Sequence, residues 1–219
     1  MIVKQVENEL TTNTIRHLAR LSDCIFAFAM ALTVAGFDLP ENIQSMTNTD
    51  INQFLMTQLK PLGTYVITFI LVAVYWIAHS QQLAYYKRTD EVHLWIGVIY
   101  LMCLFLAPLS NDLLMTFPHN LMVKTWFSLN ISAIGICSFA NWVYATNNHR
   151  LVDVSLDNLT INITKIKALI EPAFALLSIA VAWLNQELWD YVWLVIPVVY
   201  ILVERFLKQP VNQVEPTTR

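Results

Sequence analysis

Several stretches of this chain are long and apolar enough to cross a lipid bilayer as helices, which requires about 20 mostly apolar residues. They run from about Ala19 to Leu39, from Lys60 to Lys87, from Glu91 to Asp112 and from Lys124 to Arg150. Of the 219 residues, 56% are hydrophobic and only 13% are charged, which leaves too little polar surface for a soluble globule of this size. The sequence therefore predicts an all-α integral membrane protein, and nucleic acid is not expected as a partner.

The C-terminal part contains two shorter apolar runs, Pro172 to Gln186 and Tyr191 to Val203. Each is short for a complete span, so a re-entrant hairpin is one interpretation. The other interpretation extends each run by a turn, to include Ile166 to Glu171 and Glu204 to Leu207 with long side chains snorkelling, and joins the two spans by a tight turn around Asn185 to Asp190. We prefer the second interpretation, which predicts six transmembrane helices.

The distribution of basic side chains provides an independent test of this topology. If both termini are cytoplasmic, all but two of the 13 Lys and Arg residues lie on the inner side, and the exceptions are Lys60 and Lys124. This is the positive-inside pattern, which neither five nor seven spans would produce. We therefore expect a cytoplasmic N-terminal segment at 1–18, a six-helix transmembrane domain at 19–208 and a disordered tail at 209–219.

The outer connections of this topology are acidic. The first of them contains Asp38, Glu41 and Asp50. If several copies surround one axis, Asp38 and Glu41 would form an acidic outer mouth that raises the local concentration of cations. The alternative is that these carboxylates are merely what remains outside once Lys and Arg are kept inside.

The first span begins at an unusual charge, because Asp23 is the only charged residue between Arg20 and Asp38. A carboxylate at the edge of the hydrocarbon is costly, which makes it a candidate functional residue. Arg16, Arg20 and Asp23 share one helix face, with Arg20 within reach of Asp23. A simpler interpretation is an anchoring pair at the interface, with Ser22 or Asp23 as a helix N-cap.

Beyond Asp23 the first span carries two regular stripes of side chains. One is heptad-like and consists of Ile25, Phe28, Leu32 and Ala35, and the other is a row of small residues at Ala27, Ala31 and Ala35. Helix packing explains both stripes. A sharper hypothesis is that copies of the first stripe meet at a symmetry axis and form a hydrophobic constriction that gates water and ions.

The second span contributes Trp76 and His79, which are neighbours at i and i+3 and lie at the depth of Ser22 and Asp23. We expect His79 to make a structural hydrogen bond rather than to bind a ligand or relay protons. The three cysteines lack the spacing of metal ligands, so neither a metal nor another cofactor is predicted.

Three segments of the chain resemble the transmembrane protein 175 family of potassium channels. The run RHLARLSDCIFAFAMALTV is similar to the family's first-helix signature, Arg-x-x-x-Phe-Ser-Asp followed by an apolar pore helix. YWIAHSQQL is similar to its Trp-x-x-His-His pattern, and the proline in LFLAPLSNDLL to the end of its third helix. Ser22 and Asp23 occupy the Ser-Asp positions, while Leu21 replaces Phe and Ser80 replaces the second His.

The resemblance implies a homotetrameric, potassium-permeable leak channel in which the first helices surround the pore. Its narrowest point would be Phe28, with Ala31, Leu32 and Ala35 lining the path outward. A polar helix network would comprise Arg16, His17, Arg20, Ser22, Asp23, Trp76 and His79. The resemblance implies potassium as the permeant ion without a cofactor, leaves proton permeability open, and favours a bacterial cell membrane.

Two other classes of function compete with a channel. A proton-coupled transporter would use Asp23 and His79 as relays, but transporters usually contain inverted repeats and helices broken by Gly or Pro near the midplane. Only four glycines occur here, and the midplane positions are apolar. A membrane enzyme has no support, because no nucleophile lies beside a base in the sequence.

Overall fold

The computed structural model describes residues 2–33 and 46–208, most of which are helical. The helices are α1 (Ile2–Leu32), α2 (Asn48–Thr57), α3 (Leu59–Tyr85), α4 (Glu91–Phe105), α5 (Ala107–Thr116), α6 (Leu121–Thr146), α7 (Asn158–Leu184) and α8 (Gln186–Lys208). The described residues contain no β-strand, and an isolated antiparallel bridge joins Tyr86 to Val152. The tail predicted at 209–219 lies outside the described residues.

Five helical stretches among the described residues are long and apolar enough to cross a membrane. They are Tyr65–Tyr85, Glu91–Thr116, Leu121–His149, Asn158–Leu184 and Gln186–Val203. The remaining long helix is α1, whose apolar part begins after Asp23 and continues in the sequence beyond the described residues. The predicted all-α, multi-pass membrane protein with six long helices is confirmed, whereas the cytoplasmic position of both termini remains a prediction.

A proline interrupts the third of the six predicted spans. Pro108 lacks an amide hydrogen, and its ring would clash with the carbonyl of Leu104 in a continuous helix. The chain therefore breaks at Leu106, which ends α4 and precedes α5, and the Leu106 amide bonds to the carbonyls of Cys103 and Leu104. Asn111 on α5 donates a side-chain hydrogen bond to α3 just beyond this break, where the acceptor is the hydroxyl of Thr68.

The two C-terminal helices form complete spans rather than a re-entrant hairpin. Their 27 and 23 residues correspond to lengths of about 40 and 35 Å, more than the hydrocarbon thickness of about 30 Å. The connection is a single residue, Asn185, whose side-chain oxygen accepts hydrogen bonds from the amides of Glu187 and Leu188. The predicted turn at Asn185 to Asp190 is therefore too long, because one Asn suffices to start α8.

The first turn of α8 is fastened to α6 by a buried lysine. The Nζ of Lys124 donates to the Gln186 carbonyl at 2.7 Å and lies 3.5 Å from a carboxylate oxygen of Asp190. It also lies over the Trp189 ring, 4.8 Å from its centroid. These contacts explain how a cation is retained at a position that is almost fully buried.

Helix α6 forms the centre of the bundle, where it packs against α4, α5 and α7. The two helices α6 and α7 lie very close at Gly135, where a Cβ atom would lie only 2.6 Å from Cδ of Pro172. The buried hydroxyls of Ser128 and Ser178 join the same two helices at 2.7 Å. A small residue and an interhelical hydrogen bond therefore hold α6 and α7 in close contact.

Asp90 accepts three hydrogen bonds at the end of the bundle where α3 ends and α4 begins. Its carboxylate caps α4 by accepting from the His93 amide at 3.0 Å, and also accepts from the Tyr144 hydroxyl at 2.8 Å and Nε of Arg150 at 3.0 Å. Burial raises the pKa of Asp90, but these donors and the Arg150 charge outweigh it and hold the pKa below its usual value. Asp90 thereby ties the α3–α4 connection to the end of α6.

Candidate functional site

Helix α1 has one face packed into the bundle and one open face. On the packed face, Phe26 is 1% exposed and Ala29 is fully buried, and both belong to the core shared with α3 and α4. The helix runs without interruption from Ile2 through Ser22 and Asp23, so neither residue is an N-cap and that interpretation is wrong. The helix also continues across the boundary expected between residues 18 and 19, and the position of the membrane edge there remains a prediction.

Ser22 joins α1 to α3 from the packed face. Its buried hydroxyl donates to the Leu18 carbonyl at 2.9 Å, and its oxygen lies 3.1 Å from Nε2 of His79. Because the single hydroxyl hydrogen goes to Leu18, Nε2 of His79 is the donor in the second bond. The imidazole ring also stacks on Tyr100, with 4.8 Å between ring centroids, so His79 on α3 is positioned by contacts with α1 and α4.

Asp23 makes the second polar contact between α1 and α3. Its Oδ1 accepts a hydrogen bond from the indole Nε1 of Trp76 at 2.9 Å, at a site that stays exposed on the single chain. Ser22 with His79 and Asp23 with Trp76 thus form two adjacent links, which we call the α1–α3 polar link. Within the described residues, Asp23 makes no ion pair with Arg20.

The basic residues before Asp23 lie outside the α1–α3 polar link. Arg16, His17 and Arg20 are exposed, and none of them has a hydrogen bond or ion pair to the link in the part of the chain that the structure describes. The Asp23 carboxylate is instead directed across the helix interface, where it accepts from Trp76 on α3. The expectation that Arg20 lies within reach of Asp23 is corrected accordingly.

The open face of α1 carries the residues predicted to line a pore. Phe28 is 66% exposed, Leu32 is 44% exposed and Ala31 is also exposed. Ile25, from the same predicted stripe, is half-buried and packs against the core. The structure therefore leaves Phe28, Ala31 and Leu32 on a surface that no part of the described chain covers.

The outer residues of the predicted pore fall largely outside what the structure describes. Ala35, Asp38 and Glu41 lie between residues 33 and 46 and are not among the described residues. Asp50 is described, and it forms a capping box with Thr47 at the start of α2. Hydrogen bonds from the Thr47 side chain and amide lower the pKa of Asp50. Among the described residues, no group of His, Cys, Asp and Glu is arranged to hold a metal ion.

A second polar site, missed in the sequence, lies inside the bundle. Glu171 was expected to snorkel, but its Oε1 accepts a hydrogen bond from the Tyr75 hydroxyl at 2.7 Å, between α7 and α3. The signal that could have revealed it is the rule applied to Asp23, that an acidic residue within a span marks a candidate site. In the sequence Glu171 stands at the edge of a short apolar run, whereas in the structure it lies in the middle of the 27-residue helix α7.

A protein-family model matches the part of the chain that contains this arrangement. The model is described as endosomal/lysosomal potassium channel TMEM175 and matches residues 17–108, which extend from within α1 to the start of α5. This range includes both halves of the α1–α3 polar link and the open face of α1. The resemblance predicted from the motifs is confirmed.

Two curated relatives share low sequence identity with the chain. A potassium channel of Streptomyces collinus is 21% identical over 171 residues, which cover 76% of this chain and 82% of the relative. The endosomal/lysosomal proton channel TMEM175 of Danio rerio is 26% identical over 133 residues, which cover 59% of this chain but only 25% of the relative.

Two solved structures share the fold. A crystal structure described as a lysosomal potassium-selective channel TMEM175 homolog from Chamaesiphon minutus gives a TM-score of 0.67 at 17% identity, covering 90% of this chain and 99% of the other. A variant of the potassium channel MtTMEM175, in complex with a nanobody fusion protein, gives 0.65 at 19% identity, covering 86% and 91%. At these identities the likeness shows the fold.

The α1–α3 polar link predicts a specific effect of Trp76→Phe. The variant removes the donor to Asp23 and retains an aromatic ring, so we expect the free energy of unfolding to fall by about 1 kcal/mol. That corresponds to a decrease of about 2–4 °C in the midpoint of thermal unfolding of the detergent-solubilised protein. Trp95→Phe, at an exposed position on α4, is the matched control. Equal midpoints for the two variants would contradict a stabilising role for the link.

Proposed function

Because a TMEM175 family model matches residues 17–108 and two solved structures of that family share the fold, we propose that the chain is a subunit of a potassium-permeable cation channel in the cell membrane of a bacterium. The observation that carries the proposal is that α1 has a packed face and an open face within the range that the family model matches. The open face is apolar and is not covered by the described chain, so it is available to contact the same helix of other subunits.

We infer a homotetramer in which four α1 helices surround the permeation path. Phe28 would form the constriction, and Ala31, Leu32 and Ala35 would line the path beyond it. Apolar constrictions of this kind control permeation by excluding water. Lipid also covers apolar helix faces, so the match to the family model, rather than exposure alone, favours a central axis.

The α1–α3 polar link would orient the pore helix rather than bind the ion. Ser22 is buried against His79, and Asp23 accepts from Trp76, so both residues have partners on α3. Rotation of α1 about its axis would break both bonds together. In this proposal, Arg16, His17 and Arg20 anchor the same helix at the cytoplasmic interface, where long basic side chains reach polar headgroups.

The outer acidic mouth and the orientation of the chain are further parts of the proposal. With both termini in the cytoplasm, Asp38 and Glu41 would face the outer side and attract cations toward the axis. The positive-inside distribution of Lys and Arg supports this orientation.

The comparisons favour a channel over the competing classes of function. The relatives and solved structures described above are named as channels, and none of them is named as a transporter or an enzyme. Because the Danio rerio relative is named a proton channel, proton permeation should be measured together with potassium permeation. Potassium would be the permeant ion, and no cofactor is needed for this function.

The proposed function predicts a potassium-selective current. We expect purified protein in a planar bilayer, with KCl on one side and an equal concentration of NaCl on the other, to give a reversal potential displaced toward the potassium equilibrium potential. Bilayers treated with detergent alone are the control. A reversal potential at zero would contradict potassium selectivity, and a pH gradient imposed on symmetrical KCl would reveal proton permeation.

The proposed constriction predicts that Phe28→Ala raises the single-channel conductance severalfold or weakens selection of potassium over sodium. Removing the phenyl ring widens an apolar constriction and favours its hydration. Leu177→Ala is the control, because Leu177 is also exposed but lies on α7, which packs against α6 and α8. Unchanged currents from folded Phe28→Ala protein would exclude Phe28 as the narrowest point.

A further inference from the structure

We propose that a cavity lined by α3, α4, α6, α7 and α8 binds a small organic cation, with the ammonium group of the ligand against Glu171. The cavity has a volume of about 640 Å³, within the range of small-molecule sites. It lies inside one subunit and does not involve the open face of α1. The inference therefore goes beyond conduction through a central pore.

The half-buried Glu171 lines this cavity from the middle of α7. Thr160 lines the cavity near the start of α7, and Glu171 lines it eleven residues further along the same helix, a distance of about 16 Å. One carboxylate oxygen accepts from the Tyr75 hydroxyl at 2.7 Å. In the described parts of the chain, this is the single hydrogen bond or ion pair that Glu171 makes, which leaves its other oxygen able to accept from a ligand.

A carboxylate inside a membrane bundle is costly unless a positive or donating group pairs with it. Tyr75 supplies one neutral donor to Oε1 of Glu171, and a bound ammonium would supply a positively charged donor to the other oxygen. Tyr85 and Tyr200 contribute aromatic rings to the cavity wall, and tyrosine rings attract cations. The cavity thus combines the two features that recognise an organic ammonium, an anion inside the bundle and aromatic walls.

Lys167 distinguishes this proposal from binding of an anion. It lines the cavity one helical turn before Glu171, and its carbonyl accepts from the Tyr200 hydroxyl at 3.0 Å. A cationic ligand would be repelled by the Lys167 charge and attracted by Glu171, whereas an anionic ligand would show the opposite dependence. The effects of removing each charge therefore have opposite signs.

The size of the cavity favours an organic cation over a bare metal ion. A single potassium ion would occupy a small part of 640 Å³, whereas a primary alkylammonium can place its head against Glu171 and its chain along the apolar part of the wall. Gln81 and Thr164 add polar groups to the same wall.

The test uses the purified full-length protein in detergent and butylammonium chloride as the probe, with affinity measured by calorimetry and by the shift of the unfolding midpoint. We expect saturable binding over a background of equal KCl, with 1-butanol and sodium butyrate as the neutral and anionic controls. Glu171→Gln should weaken binding about tenfold or more, as expected for loss of a charge-assisted hydrogen bond. Lys167→Gln should strengthen binding.

Two further variants keep the test decisive. Thr164→Phe narrows the cavity and retains Glu171, so it should weaken butylammonium binding if Glu171→Gln does not fold. Glu187→Gln removes an exposed carboxylate at the start of α8 and should leave affinity unchanged. Equal binding of 1-butanol, unchanged affinity in folded Glu171→Gln or Thr164→Phe protein, or weaker binding in Lys167→Gln would overturn the proposal. The assay requires no current, so its outcome is separate from that of the channel proposal.

Discussion

The orientation of α1 depends on two hydrogen bonds that fasten it to α3. A helix at the edge of a bundle can rotate or shift in lipid, because apolar packing alone resists such movement weakly. Ser22 with His79, at 3.1 Å, and Asp23 with Trp76, at 2.9 Å, fix both the rotation and the height of α1. Since these bonds occupy one side of the helix, Phe28 and the residues beyond it are left on the open side.

The sequence was sufficient to predict the parts of the fold that depend on hydrophobicity. The long apolar intervals predicted six spans, and the spacing of Trp76 and His79 placed them at the depth of Ser22 and Asp23. The structure brings these four side chains together. Pairing across helices was predictable here because each polar residue stood in an apolar run and had few partners at the same depth.

The sequence was insufficient where a contact depended on the relative rotation of distant helices. The Glu171–Tyr75 bond links residues 96 positions apart, and the short apolar run near Pro172 disguised the length of α7. The turn before α8 is shorter than predicted. The side-chain oxygen of Asn185 accepts from the amides of Glu187 and Leu188, so no longer loop is needed to supply acceptors for them. Arg20 was expected near Asp23, but the Asp23 carboxylate bonds to Trp76, which lies 53 positions further along the chain.

In the proposed channel, the open face of α1 meets its own copies at an axis. Crosslinking of Phe28→Cys in oxidised membranes, in a chain whose Cys24, Cys103 and Cys137 are replaced by alanine, tests this arrangement most directly. We expect a covalent dimer on a non-reducing gel, because a disulfide requires Cα atoms within about 7 Å. Leu177→Cys in the same background should remain monomeric. A monomeric Phe28→Cys protein, or equal dimer formation at both positions, would contradict this arrangement.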